Sequence, residues 1–513
     1  MRRAVRADRA KGDRVTNEQG WRRGRRITRL AATVSATIAV AVGVTMAGQA
    51  SAPADPPAAP PANPAAPAQP AAPAQPAAPA QPAAPAPAQP APPAAAPAQP
   101  AAAPAQPARV TKVFWYTDRR VALWVHSPAM NTDIQVQILL ARDWWARPDA
   151  KFPQLTMLDG LRAQDDQSGW VLNTNIVDFY KDKNVNVVLP IGGESSFYTD
   201  WKQPDRGKTY KWETFLIHEL PPIIEGDWRS TDVRGIEGLS MGGTGAMMLA
   251  ARNPGFYKFA ASFSGILQLT STGMPQAIQF AQRDGGGYNS MNMFGPPSDP
   301  AWKEHDPFLI ADKLRGTSLY VSSGNGLVGP HDKPSDIPLL ATNYSGVGLE
   351  LLSRVTSQQF AIKLNQLGIP GQAVYRPSGT HTWAYWEFEM AQAWPQAAAA
   401  LGLGGDKVAC RASAAFKKVA DANKLGGCLT PEYAVPGGRA QDFYKGRVIT
   451  GPKGPKEVAG AIGGAYASIG GPGGKLGLPT SDELPTRDGK GRFNTFERGK
   501  ISWTANGGTV IGK

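Results

Sequence analysis

Cysteine is nearly absent from this chain: 513 residues hold two, Cys410 and Cys428. Two thiols with no histidine beside them do not make a structural zinc site, which takes four Cys/His ligands. Histidine is scarce as well, at five, so histidine-dependent chemistry has few candidates. The folded part carries little basic surplus. The net charge is +13, but residues 1–29 alone carry 11 basic and 3 acidic residues. The other 484 residues hold 43 basic and 38 acidic ones, and a nucleic-acid reader would carry its excess on the folded domain. Nucleic acid is excluded as a partner on that ground. A phosphate loop is lacking too: Gly473-Gly474-Lys475 has neither the following Ser/Thr nor a preceding strand. Neither a metal nor a cofactor is expected.

What is present falls into five stretches. Residues 1–52 read as a secretory signal: a basic n-region ending Arg25-Arg26, an uncharged apolar run, then small residues at Ala50-Ser51-Ala52. The membrane enters only if that signal stays uncleaved as an anchor. Between Pro53 and Pro107 lie 21 of the 47 prolines. Proline removes donors and fixes φ, so residues 53–108 cannot pack a core and read as an extended spacer. At full polyproline extension it would reach on the order of 170 Å. Residues 109–403 form the large domain, 404–439 a connector holding the cysteine pair, and 440–513 a small module. Export favours a disulfide between Cys410 and Cys428.

Within 109–403, short apolar runs alternate with amphipathic ones. Strands are expected at Val121–His126, Gln135–Leu140, Phe152–Leu158, Val185–Pro190, Val233–Leu239, Phe259–Ser264, Ser318–Ser323 and Gly371–Tyr375. Helices are expected between them, among others at Trp212–Ile224, Gly243–Arg252, Leu349–Leu367 and Trp383–Leu401. This alternation predicts an α/β class built on a mostly parallel sheet covered by helices.

Gly238-Leu239-Ser240-Met241-Gly242 stands between an apolar strand and a helix, the setting of a nucleophile elbow. Ser240 is therefore the candidate nucleophile, and it needs a base. In such folds the chain order is Ser, acid, His, which removes His126 and His218. His381 follows the last strand and opens the last helix, so it is the candidate base, with His331 second. His305, in the polar run Lys303–Asp306, reads as solvated surface. For the acid, fold logic favours Asp332 or Asp336 in the loop after Ser318–Ser323, with Glu350 less expected and Asp332 narrowly ahead.

Several longer motifs resemble the mycolyltransferases of the antigen 85 family. They are Leu158–Asp166 (LDGLRAQDD) with Ser168-Gly169-Trp170, Gly192–Trp201 (GGESSFYTDW), Tyr210–Leu216 (YKWETFL) and Gly379–Trp383 (GTHTW). The likeness spans about 112–403 and implies an α/β-hydrolase fold. It also implies a Ser–Glu–His triad with the glutamate early in a helix, a place Glu350 occupies 31 residues before His381. On this ground the acid becomes Glu350 rather than Asp332. The resemblance further assigns the oxyanion hole to the backbone N–H groups of Leu161 and Met241, and trehalose contacts to Asp159, Arg162, Asn173 and Trp383. A neighbouring Asp–Arg pair beside a tryptophan also suits sugar hydroxyls and an apolar ring face. One departure stands out: Gln203–Lys208 lacks a cysteine pair that many family members carry there.

In the module, Phe443-Tyr444-Lys445-Gly446-Arg447-Val448 recurs 53 residues later as Phe496-Glu497-Arg498-Gly499-Lys500-Ile501. With Leu476-Gly477-Leu478-Pro479 between them, the module looks like the LGFP repeat of exported actinobacterial proteins. That likeness implies attachment to the cell wall. Together these features imply an exported acyltransferase acting on trehalose mycolates and arabinogalactan. A secreted hydrolase with the same triad, or a wall- or matrix-binding protein with a vestigial site, are the rival readings.

Overall fold

The computed structural model describes residues 107–333 and 344–512. The expected signal, nearly all of the expected spacer, and Asp336 lie outside the described residues.

A nine-stranded sheet forms the large domain. Its strands are β1 (Arg109–Thr117), β2 (Arg120–Ser127), β3 (Thr132–Leu139), β4 (Phe152–Leu158), β5 (Asn186–Pro190), β6 (Ser230–Leu239), β7 (Phe259–Phe263), β8 (Ser318–Ser323) and β9 (Gln372–Tyr375). They lie in the order β1-β2-β3-β5-β4-β6-β7-β8-β9. The first three pair antiparallel, and β3 meets β5 antiparallel. From β5 to β9 every pairing is parallel. β5 and β7 are buried at every position, as strands covered on both faces must be. One face packs the helix Met241–Arg252 in a core with Val136, Ile236 and Phe360. The other packs the helix Trp383–Ala400 against Leu155, Leu239 and Phe263. The architecture is the α/β-hydrolase fold.

Two expectations need revision. β1 was not anticipated; it is an edge strand whose apolar run Val113–Tyr116 leaves Val113 and Phe114 exposed. The helix expected from Leu349 begins earlier, at Tyr344, and runs to Gln366.

Beyond the helix Ala414–Ala422 come two four-stranded antiparallel sheets. One holds β10 (Tyr433–Val435), β11 (Gly438–Phe443), β12 (Gly446–Gly451) and β13 (Gly454–Ala459). The other holds β14 (Leu484–Pro485), β15 (Gly491–Phe496), β16 (Gly499–Thr504) and β17 (Gly508–Gly512). The repeated motif is the central hairpin of each sheet: Phe443 pairs with Gly446, and Phe496 with Gly499. Both sheets share one core, where Tyr466 stacks on Phe496 at 4.6 Å.

The helix Gly460–Ser468 lies against β1, and Gly464 is small for that reason. A Cβ there would stand 2.8 Å from the Trp115 carbonyl oxygen. An unpaired edge strand invites association, and covering it with a helix prevents this. Arg447 of β12 completes the contact, meeting Asp442 at 2.7 Å, Asp118 of the β1–β2 turn at 3.4 Å, and the face of Trp145 at 4.5 Å. Cys410 and Cys428 are disulfide-bonded, with Cα atoms 6.1 Å apart.

Candidate active site

β6 runs directly into the helix Met241–Arg252, and Ser240 sits on the turn with φ 51° and ψ −120°. A non-glycine residue at positive φ is strained, and such strain collects at functional sites. The flanking glycines permit the turn. A Cβ on Gly238 would stand 2.8 Å from the Gly243 nitrogen, and one on Gly242 would stand 2.7 Å from the Leu158 carbonyl oxygen. The helix N-terminus can thus approach the carboxyl end of β4, where Leu158 and Asp159 lie.

Ser240 Oγ is 2.8 Å from His381 Nε2, and His381 Nδ1 is 2.7 Å from Glu350 Oε2. Glu350 is 1% exposed, so its carboxylate must be satisfied by protein groups. Its Oε1 accepts from the Gly324 N–H at 2.6 Å and the Ser264 hydroxyl at 2.9 Å. Ser264 also has positive φ, at 55°, and its Oγ accepts from Trp386 Nε1 at 3.2 Å. Trp386 meets the His381 ring edge to face at 5.0 Å. The imidazole is therefore held between a carboxylate and an indole. Sequence reasoning missed Ser264, Gly324 and Trp386. The Phe263-Ser264-Gly265 turn after β7 was the available signal, a small polar residue at the same carboxyl edge as Ser240.

The Met241 N–H opens the helix and so has no intrahelical acceptor. Among the described residues neither it nor the Leu161 N–H finds another acceptor. Met241 Sδ accepts from the Phe197 N–H at 3.2 Å, which ties the helix start to the buried Gly192–Trp201 stretch.

The four expected sugar contacts are only partly together. Asp159 and Trp383 both close on Gly169, where a Cβ would stand 2.6 Å from the Trp383 ring. Asp159 accepts from the Gly169 N–H at 2.8 Å. Its burial pushes the carboxyl up to about 6, against the pull of the Gly169 and Gly160 N–H groups. Asn173 is exposed at the end of the short helix Gly169–Asn173, donating to the Gly169 carbonyl at 2.9 Å. Arg162 does not pair with Asp159. It is exposed and bonds Asp284 at 2.8 Å, because Leu161–Arg162 turns away from the sheet toward the helix Met274–Gly286.

The other histidines lie elsewhere. His305 is buried rather than solvated: its ring stacks on Phe294 at 4.4 Å and Nδ1 meets the Ala301 carbonyl at 2.7 Å. Burial pulls its pKa down to about 4. His331 packs on Phe388 and Tyr385. Asp332 makes no bond to His381; it accepts from Thr380, Tyr385 and Gly329 instead.

A mostly parallel sheet with a serine on a strained strand-to-helix turn at its carboxyl edge, and an imidazole in reach, marks an α/β-hydrolase-fold enzyme. Comparison with known proteins narrows this. Residues 127–397 match the family described as "Putative esterase", and 425–474 and 476–512 each match the LGFP repeat. The chain is 39% identical over 289 residues to the diacylglycerol acyltransferase/mycolyltransferase Ag85A of Mycobacterium tuberculosis, covering 55% of this chain and 81% of that one. It is 40% identical over 274 residues to Ag85B of Mycobacterium leprae, covering 52% and 79% respectively. Among solved structures, MPT51 (FbpC1) of Mycobacterium tuberculosis is 27% identical with a TM-score of 0.45, over 55% of this chain and 97% of that one. The chain belongs to the antigen 85 family of diacylglycerol acyltransferases/mycolyltransferases and carries LGFP repeats after the catalytic fold. It is an acyl-transferring enzyme of the serine-hydrolase type.

Proposed function

We propose that this protein moves mycolyl groups from trehalose monomycolate to a second trehalose monomycolate or to cell-wall arabinogalactan. The observation that carries the reading is the hydrogen-bonded series Ser240–His381–Glu350. Ser240 Oγ attacks the ester carbonyl while His381 Nε2 takes its proton, with Glu350 holding the imidazole in the tautomer that leaves Nε2 free. The oxyanion falls to the N–H groups of Leu161 and Met241, which have no other acceptor among the described residues. The carbonyl–trehalose C–O bond then breaks, and His381 returns the proton to the departing trehalose oxygen. An acceptor hydroxyl repeats the sequence on the acyl-Ser240 ester and regenerates the serine.

Asp159 and Trp383 are assigned to the sugar, with Asn173 at the rim. Arg162 joins them only by leaving Asp284, an exposed pair worth under about 1 kcal/mol. The LGFP repeats support export and residence at the cell wall. No cofactor enters any step.

Incubating the full chain with trehalose monomycolate and separating the lipids tests the proposal. Trehalose dimycolate should accumulate ahead of free mycolate. Free mycolate alone would make the protein a hydrolase, since transfer depends on keeping water from the acyl-enzyme.

A further inference from the structure

The loop after β8 and the loop carrying His381 are joined along their length. Gly326 donates to the Gly379 carbonyl at 2.8 Å, and Gly379 donates to the Leu327 carbonyl at 2.7 Å. Asn325 Nδ2 donates to the Pro377 carbonyl at 2.6 Å. Gly379, at φ +136°, permits this approach: a Cβ there would stand 3.2 Å from the Gly324 Cα. Asp332 closes the far end. Its Oδ1 accepts from the Thr380 hydroxyl at 2.7 Å, and its Oδ2 accepts from the Tyr385 hydroxyl at 2.6 Å and the Gly329 N–H at 2.8 Å. Thr380 is 1% exposed and Tyr385 7%, so these hydroxyls have little water to turn to.

We propose that Asp332 is a positioning residue for His381: one carboxylate clamps the residue before the histidine and the first turn of the helix after it. The proposal rests on the reading of His381 as the base. Thr380 and Tyr385 bracket His381 in sequence, so a carboxylate bonded to both fixes the backbone at each side of the imidazole. Asp332 reaches no reacting atom. Its effect runs through the placement of His381 Nε2 against Ser240 Oγ, where a shift of about 1 Å can cost on the order of 100-fold in rate.

The clamp differs from a triad acid in what it tolerates. An asparagine at 332 can donate from Nδ2 to Thr380 Oγ1 while Oδ1 accepts from Tyr385 and Gly329. The Thr380 hydroxyl then turns to Thr382 Oγ1, 3.2 Å away. Every donor keeps an acceptor, so Asp332→Asn preserves the clamp, whereas Asp332→Ala removes it.

The test is the kcat and KM of the full chain on a short p-nitrophenyl ester, with thermal melts to verify folding. Asp332→Ala and Thr380→Val should each lower kcat about 10- to 100-fold with KM unchanged. Asp332→Asn and Thr380→Ser should stay near wild type. The double variant Asp332→Ala/Thr380→Val should be no slower than Asp332→Ala alone, because that change already removes the Thr380 contact. A folded Asp332→Ala with normal kcat overturns the proposal, as do losses that multiply or an Asp332→Asn as slow as the alanine. His381→Gln separates the two levels: if that variant turns over normally, the base is misassigned. If it is dead while Asp332→Ala is normal, only the clamp fails.

Discussion

Glu350→Gln is expected to lower turnover on the order of 10⁴-fold while the protein stays folded. The carboxylate spans two jobs at once. Oε2 meets His381 Nδ1, and Oε1 accepts from Ser264 and Gly324. Gln keeps one acceptor, so the Ser264 and Gly324 bonds hold its carbonyl oxygen and turn the amide NH₂ toward His381. A donor facing Nδ1 forces the proton onto Nε2, the nitrogen that must be free to take the Ser240 proton. The loss should appear in kcat rather than KM. Its control is Asp332→Asn, which should keep most of the activity, since Asp332 accepts from Thr380, Tyr385 and Gly329 and not from the imidazole. A near-normal Glu350→Gln would remove Glu350 from the mechanism. A dead Asp332→Asn would move the acid to the loop after β8.

Glu237→Leu is expected to stabilise the protein, and to do so more as pH rises. Glu237 lies in β6, paired beside Met157 and Ala261, is fully buried, and among the described residues neither carboxyl oxygen has a hydrogen-bond partner. Burial pushes its pKa up to about 8. Tyr180, the titratable group coupled to it, is itself buried with an unpartnered hydroxyl and a phenol raised by burial and by Glu237. A carboxyl raised in the folded state leaves stability intact below its unfolded value of about 4.3 and removes it as pH climbs through about 8. At pH 7 that amounts to on the order of 3 kcal/mol. Leucine has a similar volume and no proton to hold. Denaturant titrations at pH 5, 7 and 9 should therefore show the gap between variant and wild type widening with pH. A gap constant across that range would mean that Glu237 does not titrate in the fold.

The sequence showed β5 and β7 because strands buried at every position read as largely apolar runs. β1 was missed although Val113–Tyr116 is an apolar run; its first half, Arg109–Lys112, is mostly polar and the strand lies at the sheet edge with Val113 and Phe114 exposed. Glu237 shows the opposite failure: within a strand covered on both sides, a charged letter carries no information about an outward face. The turn around Ser240 was legible because glycine at 238 and 242 answers a local steric demand. Glu350 was not legible from local pattern. Its partners Ser264 and Gly324 come from two other loops, so only the family likeness pointed to it. His305 was misread because Lys303, Glu304 and Asp306 look solvated in sequence. The turn of helix Pro300–Glu304 instead swings its imidazole onto Phe294. Arg162 was drawn toward Asp159 by nearness in sequence, whereas its partner Asp284 lies 122 residues away.

Acyl transfer through a covalent ester on Ser240 is the central claim, and trapping that ester tests it most directly. The full chain would be treated with a long-chain acyl phosphonate ester, digested, and the modified peptide mapped by mass spectrometry. A single adduct is expected on the peptide bearing Ser240. Labelling should be absent in Ser240→Ala and slowed in His381→Gln, with Ser240→Ala also devoid of transfer from trehalose monomycolate. An adduct on another residue, or a Ser240→Ala protein that still forms trehalose dimycolate, would contradict it.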